Sequence, residues 1–239
     1  MTAPDAVHPG LREVLSGPHR RVWRYLVPSS SLDNVLVLGD ILGLDALAAA
    51  REATRVCTVA PDASAADRIR ERAATESVSN LDVAIHRTGS PTDSLPFEDG
   101  RFDLVILPDY GRDWGLRSPL DVTLSEIYRV MRPGGYLYMT SDNRLRSGWQ
   151  GLTLPRFRRA VKAGGFQEAR WFGAFPSASE PKHLADLAGS TMEYLFSAYL
   201  NLDIRRGGMV RWCIRCASKT GISAHIAPGY VVLCRKGGE

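Results

Sequence analysis

Lysine is scarce in this chain. Lys162, Lys182, Lys219 and Lys236 are the only four among 239 residues, so the net charge of +4 rests on arginine. Arginines cluster at Arg20, Arg21 and Arg24, at Arg156, Arg158 and Arg159, and at Arg205, Arg206, Arg211 and Arg215. Such clusters are either a solvated surface or a place for an anionic group on a substrate. No aromatic spacing of an RNA-binding module accompanies them, so a nucleic-acid partner is not expected. Cysteine is also sparse. Cys57, Cys213, Cys216 and Cys234 are too few for a disulfide framework. Cys213 and Cys216 form one C-x-x-C without a second Cys or His pair at zinc spacing, so the thiols read as a buried helix face and no metal is expected. No apolar run reaches the roughly 18–20 residues of a membrane span. The N-terminal MTAPDAVHPGLREVL lacks a basic region followed by an apolar core. A cytoplasmic protein without membrane partners is the expectation.

What is present is an alternation of short apolar runs and amphipathic stretches. Apolar residues make up 44% of the chain, and the length suits one sizeable α/β domain. Residues 10–27 have the spacing of an amphipathic helix, interrupted at Gly17-Pro18, and residues 1–32 form an N-terminal helical segment. NVLVLGD (34–40) is continuously apolar, as a parallel strand buried on both faces requires. Further strands are expected at 55–60, 81–87, 102–108, 136–140, 167–175 and 228–236. Helices are expected at 64–74, 119–131 and 153–166, the last closed by Gly164-Gly165. The segment 181–202 reads as mostly helical and 206–218 as another helix. Strands alternating with helices predict an open, mostly parallel seven-stranded sheet with helices on both faces. Its ligand crevice lies at the carboxyl ends of the strands. Residues 33–239 then form the main domain, with a helical insertion at about 176–227.

Two stretches carry a family resemblance: LPFEDGRFDLVILPD (95–109) and LSEIYRVMRPGGYLYMTS (124–141). Together they resemble the second half of a class I S-adenosylmethionine (SAM)-dependent methyltransferase domain. The stretch TSDNRLRSG (140–148), FGAFPSASEPKHLADL and IAPGYVVLCRK are similar to bacterial methyltransferases of glycan and natural-product pathways. The resemblance implies a Rossmann-like fold with SAM as cofactor. It carries Gly39, Asp40 and Gly43 over as contacts to the methionine part of SAM. In the family this loop reads G-x-G-x-G; here Ile41 replaces the middle glycine. The carboxylate that the family places at the end of the second strand, for the two ribose hydroxyls, falls on Ala60. Asp62 stands two residues later, either as its substitute or as a surface turn residue. Ser90 stands where the family has an acid facing adenine, which leaves Asp93 and Ser94 as candidates for the adenine edge.

Acceptor-side candidates follow the strands. After the strand 102–108 come Asp109, Tyr110, Asp113 and Trp114. A carboxylate or phenol there can act as general base, so Asp109 and Tyr110 are catalytic candidates, and Trp114 a shaping residue for substrate. SAM is already a strong electrophile, so orientation can supply much of the rate. Asn143 and Arg144 stand after strand 136–140, where open sheets place substrate groups, with Arg144 suited to an anionic group. His183 is the histidine best placed as a base, or else a surface residue of the insertion.

The expected function is methyl transfer from SAM to an oxygen or nitrogen of a small bacterial metabolite or a glycan or natural-product precursor. The rival is a methyltransferase-like protein without methyl transfer, acting as a partner subunit or with a repurposed crevice. Ile41, Ala60 and Ser90 motivate it. Leu184, Leu187, Met192, Leu195, Phe196 and Tyr199 then supply either a homo- or hetero-oligomeric interface or a lid. A nicotinamide-dependent dehydrogenase would need G-x-G-x-x-G, which is lacking.

Overall fold

The computed structural model describes residues 22–28, 32–86, 94–108, 110, 120–147, 151–179, 181–187, 191, 222–225 and 227–238. Within these, the elements run α1 (Trp23–Leu26), β1 (Asn34–Val37), α2 (Leu44–Ala50), β2 (Arg55–Ala60), α3 (Ala63–Thr75), β3 (Leu81–Ile85) and β4 (Phe102–Leu107). There follow α4 (Leu120–Val130), β5 (Met131–Asp142), α5 (Arg144–Ser147), α6 (Leu154–Ala163), β6 (Glu168–Phe175), β7 (His183–Asp186), α7 (Ile222–His225) and β8 (Gly229–Arg235).

The strands form one sheet in the order β3-β2-β1-β4-β5-β8-β6-β7. From β3 to β5 every pairing is parallel, while β5–β8, β8–β6 and β6–β7 are antiparallel. The order reverses at β1, which lies between β2 and β4, so the crevice opens at the carboxyl ends of β1 and β4. The mostly parallel sheet of the sequence reading is present, with one strand more than the seven expected. The extra strand is β7, four residues in a segment expected to be helical. Its backbone pairs with β6 from Phe172↔Asp186 to Phe175↔His183, and that ladder overrides the local helical pattern.

Period-two alternation sorts the strand residues onto two faces. On one, Leu36, Leu38, Cys57, Val59, Val105, Leu107, Leu137, Met139, Tyr230 and Val232 meet Leu124 and Ile127 of α4 and Leu154, Phe157 and Val161 of α6. The last three recur at helical spacing, and each fully buried side chain of this size contributes about 1.5–3 kcal/mol. On the other, Val35, Val37, Val56, Leu104, Ile106, Tyr138, Phe172, Val231 and Leu233 meet Trp23 of α1 and Ala46, Ala49 and Ala50 of α2. The helices α4 and α6 approach so closely that a Cβ on Gly164 would stand 2.5 Å from Leu124 Cβ. Gly165 has φ 95° and ends the helix in the left-handed conformation that favours glycine.

The two stretches that carried the resemblance are scaffolding. Buried Asp103 accepts from the N–H groups of Asp33 and Asn34 and pairs with Arg132 at 2.6 Å, tying the starts of β1, β4 and β5 together. Arg129 donates to the carbonyls of Leu95 and Phe97 and pairs with Glu126 and Asp99, fixing the loop before β4. In the Pro-Gly-Gly turn, a Cβ on Gly135 would meet three backbone oxygens at 2.9–3.1 Å. Lys236 donates its ammonium to the carbonyls of Tyr128 and Met131, anchoring the last strand beneath that turn. Leu184 and Leu187 pack against the two cores of the sheet. Met192, Leu195, Phe196, Tyr199, Cys213 and Cys216 lie outside the described residues.

Candidate active site at the carboxyl ends of the strands

The glycine turn leaves β1 through Gly39 (φ 76°) and closes at Gly43 (φ 72°), whose N–H donates to the Asp40 carbonyl at 3.1 Å. Both φ values favour glycine. At Gly43 the packing requires it as well, since a Cβ there would stand 2.9 Å from Ile69 Cγ2 of α3. Asp40 is 6% exposed, and its carboxylate turns inward. Oδ1 accepts from the Leu44 N–H at 3.0 Å and Oδ2 from the Ala46 N–H at 2.8 Å, so Asp40 satisfies the N-terminus of α2. Two of the amides that an anionic ligand would use at such a terminus are thereby taken by the chain itself. What the turn offers a ligand is its backbone and the partly exposed Ile41.

At the end of β2, Ala60 is fully buried among Ala65, Ala66 and Ile69 of α3. Asp62 is the N-cap of α3: Oδ1 accepts from the Ala65 N–H at 2.7 Å. The residue is exposed, and its second oxygen carries no hydrogen bond among the described residues. Asp62 thus stands in the turn before α3 as a helix cap. Ser94 is exposed beside Leu95, whose N–H is held by Glu126 at 3.0 Å. Asp93 and Ser90 lie outside the described residues.

On the acceptor side, Tyr110 follows β4 and is tied to β5. Its N–H donates to the Thr140 carbonyl, and the Ser141 hydroxyl donates to the Tyr110 carbonyl. Burial pushes the phenol above its ordinary 10.0, the positive charge of Arg156 opposes that shift, and Asp121 adds to it. Burial thus favours the neutral phenol, which can donate a hydrogen bond. Asn143 is fully buried. Its Nδ2 donates to the carbonyls of His225 and Ala227 at 2.8 Å, and its Oδ1 accepts from the Leu145 N–H. These bonds clasp the end of β5 to the chain before β8. Arg144 is half-buried and its N–H donates to the Leu152 carbonyl at 3.2 Å. Asp109, Asp113 and Trp114 lie outside the described residues.

His183 begins β7 opposite Phe175 and is exposed. Four strand spacings separate β4 from β7, about 19 Å at roughly 4.8 Å each. The structure therefore brings Gly39, Asp40, Gly43 and Asp62 to one part of the crevice and Tyr110 and Arg144 to its next part, with His183 at the far edge. Arg156, in the first turn of α6, is the positive charge that acts on the Tyr110 phenol; its only sequence signal was its place in an arginine cluster.

Residues 36–139, a little under half of the chain, match the family model described as "Methyltransferase domain". The match runs from β1 into β5, the parallel half of the sheet, and is a likeness to that domain. Among solved structures it is similar to the [4+2]-cyclase SpnF, with a TM-score of 0.53 and 18% identity, over 96% of this chain and 81% of that one. It is also similar to phosphoethanolamine N-methyltransferase 2 of Haemonchus contortus, solved with S-adenosylhomocysteine (SAH), with a TM-score of 0.58 and 16% identity, over 95% and 56%. Both likenesses are of fold. A curated protein, the anamorsin homolog of Populus trichocarpa, is 29% identical over 96 residues, 40% of this chain. The chain spans about a third of that relative's length. Among the described residues no helix is long and apolar enough to cross a membrane.

Proposed function

We propose that this protein is a SAM-dependent methyltransferase acting on an oxygen or nitrogen of a small metabolite or a glycan or natural-product precursor. The observation that carries this reading is the Asp62 carboxylate at the exit of β2. One oxygen is committed to the helix and one is open, beside a glycine turn whose φ values keep the backbone approachable. The residues fit the cofactor at these points. The backbone of Gly39, Asp40 and Gly43 would lie along the methionine part, the free oxygen of Asp62 would accept from the ribose, and Ser94, with Asp93, would face adenine. Bound there, SAM supplies an activated methyl group. The chain's own task is to orient the acceptor against it and exclude water. Tyr110 donates a hydrogen bond to the acceptor from the end of β4, and Arg144 holds an anionic substituent.

A substitution that separates the two duties of Asp62 tests this. Asp62→Ser keeps a good helix cap but loses the second acceptor oxygen. SAH affinity measured by calorimetry should fall about tenfold, the weight of one good hydrogen bond to a charged group, with thermal stability nearly unchanged. Asp62→Ala should lose both. Unchanged SAH affinity in Asp62→Ser would remove Asp62 from the ribose site.

A second reading keeps the crevice and drops methyl transfer. Ala60 supports it, because the apolar packing at the end of β2 leaves that position no polar contact for a ribose. The neighbour named as a [4+2]-cyclase has this fold with a different reaction in its name. This reading predicts a protein that binds neither SAM nor SAH.

A further inference from the structure

We propose that Arg156 and the Tyr110 hydroxyl together select an acceptor bearing an oxyanion, a carboxylate or a phosphate, at the carboxyl ends of β4 and β5. The inference deepens the methyl-transfer reading and rests on it for the word acceptor; the anion site itself stands on geometry. Two chain segments converge there. Tyr110 is bound to β5 through Thr140 and Ser141, and its ring packs on the core that includes Leu120, Leu152, Leu154 and Phe157. The start of α6 is brought to the same place because the Leu152 N–H donates to the Asp142 carbonyl and the Arg144 N–H to that of Leu152. Arg156 follows in the first turn of α6, between the buried Leu154 and Phe157, and is exposed.

Both groups are donors without acceptors. Arg156 makes no hydrogen bond or ion pair among the described residues, and neither does the Tyr110 hydroxyl. Arg158, two residues on in the same helix, is committed to the face of Trp171 at 5.6 Å. The cluster of arginines seen in the sequence thus divides, and Arg156 is the member whose charge reaches the Tyr110 hydroxyl. Asp121, in the first turn of α4, is the acid that acts on the same hydroxyl, and it does so less strongly than Arg156. A half-buried O–H and an exposed guanidinium whose charge reaches it, at the ends of two converging segments, match the two or three oxygens of an oxyanion.

Inorganic phosphate is a direct probe, read on protein carrying ring-labelled tyrosine by NMR, with Tyr110→Phe identifying the resonance. The Tyr110 signal should move and saturate with a Kd on the order of millimolar. Arg156→Ala should weaken that Kd about tenfold, and Arg156→Lys should keep it within about threefold, since the charge remains while the fork geometry is lost. A Tyr110 signal that does not respond, or an Arg156→Ala protein that titrates like the parent, would overturn the inference. The titration is run with and without SAH. Saturable phosphate binding in a protein that takes no SAH would sustain the anion site and reject the methyl-transfer reading. SAH binding with no phosphate response would do the reverse.

Discussion

Asp40→Ala is the perturbation whose outcome separates a structural from a ligand-binding role in the glycine turn. The Asp40 carboxylate is 6% exposed and holds the Leu44 and Ala46 N–H groups at 3.0 and 2.8 Å. Asp40 precedes the N-cap, Gly43, and removing a side chain that accepts from a helix's first turn costs about 0.5–2 kcal/mol, while each amide left buried without a partner costs about 1–3 kcal/mol unless water reaches it. Leu42, two residues on, is 56% exposed, so water can reach part of the turn. A net loss of about 2–3 kcal/mol follows, which for a domain of this size is about 5–10 °C in Tm. Asp40→Asn keeps one acceptor oxygen and should lose about half as much. Urea unfolding at pH 7 measures both. An Asp40→Ala protein within about 0.5 kcal/mol of the parent would refute the capping role. If that protein also lost SAH affinity, the carboxylate would be facing the ligand and not the helix.

Other positions give sharper steric and electrostatic tests. Gly164→Ala puts a Cβ 2.5 Å from Leu124 Cβ and should destabilise by about 2–4 kcal/mol in chemical denaturation. Asp103→Ala strands the Asp33 and Asn34 amides and Arg132, and chemical denaturation should show a loss of about 3 kcal/mol. Burial raises the Cys57 and Cys234 thiols above their ordinary 9.0 and the Tyr110 and Tyr230 phenols above their ordinary 10.0. The folded state then holds protons that the unfolded state releases. Stability is at its full value below pH 9 and declines as pH rises beyond 9 and again beyond 10; Tm measured from pH 8 to 11 should fall in that order, and a flat profile would contradict the burial.

The sheet was legible because its strands are buried on both faces: NVLV, RVCTVA and FDLVIL are nearly unbroken apolar runs. The short β7, His-Leu-Ala-Asp, carries no such run, and only its ladder with β6 makes it a strand. Asp62 was legible as an acid before a helix, but its division into a cap and a free oxygen is a matter of three-dimensional aim. Asn143 could not be read from the chain, because its carbonyl partners lie 82 and 84 residues away. Arg156 and Arg158 are indistinguishable in sequence; the fold lays Arg158 over Trp171 and leaves the charge of Arg156 to act on Tyr110.

A crystal structure of the protein grown with saturating SAH tests the central claim most directly. The account predicts SAH across the carboxyl ends of β1 and β2, its ribose within hydrogen-bond distance of Asp62 and its sulfur facing the Tyr110 side of the crevice. A well-ordered crevice without SAH, in crystals grown at that concentration, would contradict it.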